Sequence, residues 1–273
     1  MANDCPTVVA RLPVSSEQIK FHDWDISYEK SHILKSICKL GIDQSCPKDD
    51  ANRCDLCHYQ HSLELPHLPD MVFYKNKLVL RHKDGALIEF KPMDSLTMVS
   101  NGKQPLEVAC AQEWRETRPE QTTEEKFKPF DWTFTSTYQG TMNDKVRAES
   151  TDQTLNKFKL MQRENIIFYQ DLTLFEDELH DHGISVMSVR IRVMPSGFFI
   201  LLRHFLRVDG VLMRMHDTRF HHEIENDFIL KEYIYREAPW AELLTYTAFW
   251  TNPDEMQNYL PVKSKELQKL YFK

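Results

Sequence analysis

Two stretches of this chain carry side chains whose types and spacing could do chemistry. The first is Glu176-Asp177-Glu178-Leu179-His180-Asp181-His182, four carboxylates and two imidazoles within seven residues. In an extended backbone His180 and His182 would share a face, with acids on both sides. Such groups could ligate a metal or exchange protons. The second stretch holds Cys46, Cys54, Cys57, His58 and His61, with Cys38 just upstream. Thiolates and imidazole suit tetrahedral zinc, and Cys46, Cys54, Cys57 and His61 could supply four ligands. Cys54-x-x-Cys57-His58 also fits the haem c attachment pattern. No export signal or evident distal ligand accompanies it.

Neither stretch completes a catalytic constellation. Gly-x-Ser-x-Gly and His-Glu-x-x-His do not occur, and no cysteine has a demonstrable histidine partner. The second Cys-x-x-Cys of a full zinc signature is also missing. The preferred reading of 41–61 is a loop leading into a helix over residues 57–65, with partly buried cysteines and no metal assigned. The preferred reading of 176–182 is a polar helix end and turn with Gly183 as its exit. A metal-dependent enzyme built on 176–182 stands as the alternative.

The bulk numbers narrow the function classes further. With 273 residues, 41% hydrophobic and 27% charged, the chain can bury a sizeable core. Its net charge of −7 gives no basic footprint for nucleic acid. None of its seven glycines forms a phosphate-cradling loop. No apolar run reaches signal-peptide or membrane-spanning length, so a cytoplasmic protein with reduced thiols is expected.

The elements that must position these groups follow from periodicity. Residues 1–20 read as a flexible tail. Phe21 to Ile26 alternates like a strand, and residues 30–40 fit a short helix or an extended segment. Residues 71–90 read as a hairpin around Lys83-Asp84-Gly85, after which Asp94 is placed to cap a helix. Residues 106–114 form an apolar segment and 115–128 a long charged loop. Phe130, Trp132 and Phe134 alternate with polar residues as in a half-buried strand. From 155 to 175 the spacing of Phe158, Met161, Phe168, Leu172 and Phe175 predicts an amphipathic helix. The end of the chain reads as helical at 240–250, after Asn252-Pro253, and at 263–272.

The centre is a sheet. Met187, Val189, Ile191 and Val193 face one side of a strand, and Arg190 and Arg192 the other. Residues 198–208 and the run from Val211 flank Asp209-Gly210, a pair suited to a two-residue type I′ turn. That turn sets Val208 opposite Val211, His204 opposite Met215, and Leu202 opposite Asp217. It places Arg203, Arg207 and Arg214 together on the other face. An unpaired buried carboxylate costs several kcal/mol, so Asp217 should lie in a cleft or have a partner. The fold class expected is α+β, largely antiparallel sheets with packed helices, in a single domain over 21–273.

The segments FEDELHDHG, VRIRVMPS, FLRVDGVLMRMHDTR, KSHILKS, EVACAQEW and DWTFTSTYQGT resemble the signature segments of the TIPRL family, the TOR signalling pathway regulator-like proteins. The resemblance runs in order from about Phe21 to Phe272. It implies a non-catalytic α+β protein, without cofactor, that binds the catalytic subunit of type 2A-class serine/threonine protein phosphatases and restrains it. Members of the family hold the phosphatase's C-terminal tail in a cleft. The matching positions here are Asp94, Met215 and Asp217, with Thr218 and Arg219 in the same motif. The first twenty residues and part of the cysteine-rich segment 41–61 are additions to that pattern, so any zinc there would be peculiar to this branch.

Overall fold

The computed structural model describes residues 14–63, 65, 67–99 and 133–272. The expected apolar segment 106–114, the charged loop 115–128, and Phe130 and Trp132 lie outside them.

Two antiparallel sheets share one core. The smaller contains β1 (Ser15–Phe21), β2 (Trp24–Lys30), β4 (Lys77–His82), β5 (Leu87–Phe90) and β6 (Thr141–Met142), in the order β1-β2-β4-β5-β6. The larger is organised around four twelve-residue strands, β9 (Gly183–Met194), β10 (Gly197–Val208), β11 (Leu212–Glu223) and β12 (Phe228–Pro239). They are extended by β3 (Met71–Val72), β7 (Val146–Ser150), β8 (Phe168–Asp177) and β13 (Val262–Phe272), giving β3-β8-β9-β10-β11-β12-β13-β7. The helices are short: α1 (Asp55–Ser62), α2 (Pro92–Thr97), α3 (Lys157–Met161) and α4 (Pro253–Met256). Antiparallel sheets in a single body were expected, and among the described residues the helices are shorter than expected.

Alternation makes the core. On the inner face of the large sheet Met187, Val189, Ile191, Val193, Phe198, Ile200 and Leu202 are buried against Ile26, Leu78, Leu80, Ile88 and Phe90 of the small one. Trp24 bridges the sheets, its ring 5.5 Å from Phe198 and 5.1 Å from Phe272. Edge-to-face rings of this kind add to the gain from burying their area.

Several expectations are corrected. Ser15–Phe21 is a strand of the small sheet, not part of a tail, and Phe21 to Ile26 straddles a hairpin turn with His22 at φ 51°. Residues 31–37 form no helix. The described end of the 130–135 run is not strand, and Phe134 is buried with φ 54°. Lys91, not Asp94, occupies the cap position of α2.

The helix expected over 155–175 is only α3, and its Phe158 and Met161 are largely exposed. Residues 162–167 are irregular, and 168–175 belong to β8. A bulge between Thr173 and Phe175 resets the side-chain parity, so Leu172, Leu174 and Phe175 are all buried. That reset produced the apparent helical spacing. Residues 262–272 form β13, between β12 and β7, where ladder pairing overrides a helix-compatible composition. Residues 240–249 form 3₁₀ turns broken at Tyr246. The cap of α4 is as expected, Asn252 accepting from the Asp254 and Glu255 amides.

Candidate functional site

The β10–β11 hairpin carries the site, and its register differs from the expected one. Val208 pairs with Leu212, not Val211, so three residues make the loop. Among Asp209, Gly210 and Val211 only Gly210 has positive φ, at 80°. A type I′ turn needs two such residues. The shift of one residue changes every opposed pair. Asp217 now faces Arg203, and Met215 faces Phe205.

Asp217 has no exposed surface, and it has partners. Arg203 donates to both its oxygens, Nε to Oδ1 at 2.7 Å and a terminal nitrogen to Oδ2 at 2.9 Å. Arg219 donates to Oδ2 at 3.1 Å, and an Arg236 nitrogen lies 3.6 Å away. Burial would raise the carboxyl's pKa, but the Arg203 charge and hydrogen bonds, with Arg219 and Arg236, hold it below the ordinary carboxylate value.

A strap crosses this face. Asp254 of α4 accepts from Arg203 and from Arg190, each at 2.7 Å. Gln257 Oε1 accepts from Arg203 at 3.1 Å and Arg219 at 3.0 Å. Glu232 pairs with Arg219 at 3.1 Å and Lys265 at 2.7 Å. Beside these arginines lies a second apolar cluster of Phe205, Met213, Met215, Ala238, Leu243, Met256 and Leu260.

An open cleft of about 310 Å³ borders the strap. Its walls are Asp171 and Thr173 of β8, Ile184 to Arg190 of β9 and Arg203 to Arg207 of β10, closed by Thr251 and Pro253. The cleft thus has an apolar floor at Ile184, Val186 and Phe205, and guanidinium groups along its length. Such a lining can hold an extended peptide and fix its acidic groups.

The five expected partner-binding residues do not form one patch. Asp217 and Arg219 meet, and Met215 shares their face but is buried. Thr218 is buried on the opposite face, in register with Leu202. Asp94 lies on α2, beside the edge strand of the small sheet, accepting from Thr141 of β6 at 2.5 Å with Lys91 4.0 Å away. Arg190, Arg236, Asp254 and Gln257 were not singled out from the sequence. A three-residue loop at Asp209 would have revealed the Arg203–Asp217 pair.

The acidic and histidine stretch is a turn. Asp177 accepts from the Leu179 amide at 2.8 Å and the Asp70 amide at 3.0 Å. Its carboxyl is raised by burial, with those amides opposing. The His182 carbonyl accepts from the Asp209 amide, bracing the hairpin loop. Among the described residues, converging metal-ligand atoms occur in one group only, Cys38, Cys46, Cys54 and Cys57. Cys38 takes the place that His61 would hold in the zinc alternative.

A two-sheet antiparallel β protein with an arginine-lined cleft under a C-terminal strap is the class defined by this architecture. No helix among the described residues is long and apolar enough to cross a membrane. Residues 71–244 match the model of the TIP41-like family. The chain is 42% identical over 257 residues to the human TIP41-like protein, covering 92% of this chain and 88% of that one. It is 41% identical over 263 residues to the Rattus norvegicus TIP41-like protein, covering 94% and 91%. It is 32% identical over 259 residues to the type 2A phosphatase activator TIP41 of Saccharomyces cerevisiae, covering 88% and 68%. The chain belongs to the TIP41-like family, the family its signature segments resemble.

Proposed function

We propose that this chain is a non-catalytic regulator that binds the catalytic subunit of type 2A-class protein phosphatases, and that its cleft receives the subunit's C-terminal tail. The observation that carries the reading is the arginine-lined cleft between β8–β10 and the strap. An extended tail ending in a carboxylate presents the charge to compete with the acids now paired to these arginines, Asp171 and Asp254 at Arg190 and Asp209 at Arg207. Asp217 is then a positioning residue. It holds the Arg203 and Arg219 guanidinium groups and, through Arg203, the Asp254 end of the strap. Met215 supports the same strap from below. Asp94, on α2 beside the small sheet, is a separate point of contact.

The family resemblance implies restraint of the phosphatase, within TOR signalling and in the cytoplasm. The Saccharomyces cerevisiae relative is named an activator, so the sign of the effect is part of the test. Purified chain should bind a type 2A-class catalytic subunit at about micromolar affinity or tighter and lower its turnover. Deleting the subunit's last residues should weaken binding at least tenfold. Folded protein that does not bind would overturn the reading. Equal binding to the tail-deleted subunit would overturn the role of the cleft.

A further inference from the structure

The connection between β2 and β3 runs from Ser31 to Asp70 with α1 as its one helix among the described residues. A connection of this length needs something to hold it. Its ends are held by Leu34, Leu63 and Leu68 against the main core, but in the middle Ile37, Leu40 and Ile42 point outward, Ile42 at 72% exposure. The centre of the loop is sulfur. Cys38, Cys46 and Cys57 are buried, with Cys54 and Leu56 packed beside them.

The four sulfurs have the dimensions of a metal site. Cys38 Sγ lies 3.6 Å from Cys46 Sγ, 3.6 Å from Cys57 Sγ and 3.9 Å from Cys54 Sγ. Cys46 and Cys54 are 3.8 Å apart, and all four atoms fall within 4.8 Å of one another. Zinc–sulfur bonds of about 2.3 Å in a regular tetrahedron put the sulfurs roughly 3.8 Å apart. These distances are far from the ~2.05 Å of a disulfide. Cys38 is nearly equidistant from three others, so no disulfide pairing is selected.

The surroundings fit thiolates. The Leu40 amide points at Cys38 Sγ at 3.4 Å, and the Cys46 amide at Cys57 Sγ at 3.1 Å. Amide donors to ligand sulfur orient and stabilise it. Lys39 reaches across the loop, bonded to Asp50 and the Asn52 carbonyl. His61 serves a different purpose. Its Nε2 lies 2.8 Å from the Cys46 carbonyl and therefore donates there.

We propose that Cys38, Cys46, Cys54 and Cys57 hold one structural zinc ion. Four protein ligands leave no open position, so the ion supports the fold and does not activate water. It ties the loop to α1, whose Tyr59, with Leu63 just after the helix, enters the main core. The Tyr59 hydroxyl donates to the Tyr74 carbonyl at 2.8 Å, ahead of β4. The site precedes residues 71–244, which match the family model.

The test is the metal content of untagged full-length protein grown with zinc. About one zinc per chain is expected. Thiol titration should then find four more reactive groups after chelation than before, of the six cysteines in the chain. Cobalt exchanged into the site should give the visible bands and thiolate charge transfer of a tetrahedral sulfur set. Cys38→Ser and Cys57→Ser should lose the metal, whereas His61→Ala should keep it. Folded wild-type protein without stoichiometric metal, or with no thiols protected from titration, would overturn the proposal. So would iron in place of zinc, or zinc retained in Cys38→Ser but lost in His61→Ala. Should the cysteine variants fail to fold, the wild-type metal count and thiol difference still decide.

Discussion

Replacing Asp217 with Asn keeps the shape of the side chain and removes its charge. Both oxygens of Asp217 are engaged by Arg203 and Arg219, with Arg236 close by, in a place without solvent contact. Asn would aim an NH₂ group at guanidinium donors and leave three positive charges facing one another. Removing one partner of a buried ion pair costs about 3–5 kcal/mol. Asp254 and Glu232 still face Arg203 and Arg219, which favours the lower end, about 3 kcal/mol. Unfolding entropy of ~2.1 cal/mol/K per residue is about 0.6 kcal/mol/K for this chain. The melting temperature should therefore fall by roughly 5 °C. Differential scanning calorimetry at low salt and at about 0.5 M salt reads this directly. The drop should persist in salt, because a buried pair is poorly screened. Phosphatase binding should weaken through the loosened strap. An unchanged melting temperature together with lost binding would refute the reasoning, since Asp217 would then meet the partner directly.

Other outcomes follow from the same geometry. Arg207→Glu, in the cleft wall, should weaken phosphatase binding at least tenfold in an interferometry titration and move the urea midpoint little. His204 and His216 are kept neutral: burial, with the neighbouring Arg214 charge, holds His204 well below its ordinary value and His216 at about 3. Their unfolded forms take up protons below about pH 6.5, so stability present above that pH is lost as pH falls. His216 should cost about 2 kcal/mol at pH 5, and His204 acts in the same direction, read as a falling urea midpoint between pH 7 and pH 5. A His216→Phe variant should show a smaller loss. Gly197→Ala would place a Cβ 1.9 Å from the His222 carbonyl oxygen in the next strand. It should destabilise by about 3 kcal/mol, the upper end of overpacking costs, measured by chemical denaturation.

The sequence alone determined the antiparallel core, because β9 and the 77–90 hairpin bury a period-two pattern that needs no distant partner to be read. It determined the family as well, since the signature segments are continuous in the chain. Asp217 needed a partner on burial cost alone, and it has one. Tertiary structure decided the rest. The 263–272 segment and residues 168–175 are strand because a ladder partner and a bulge, neither local, overrule composition. Which residue meets Asp217 turned on one residue in a hairpin loop, where only Gly210 takes positive φ. The fourth sulfur turned on a chain path that brings Cys38 back over Cys46, Cys54 and Cys57. Spacing shows which groups are near in sequence. Register and loop path fix which are near in space, and these depend on contacts made across the whole fold.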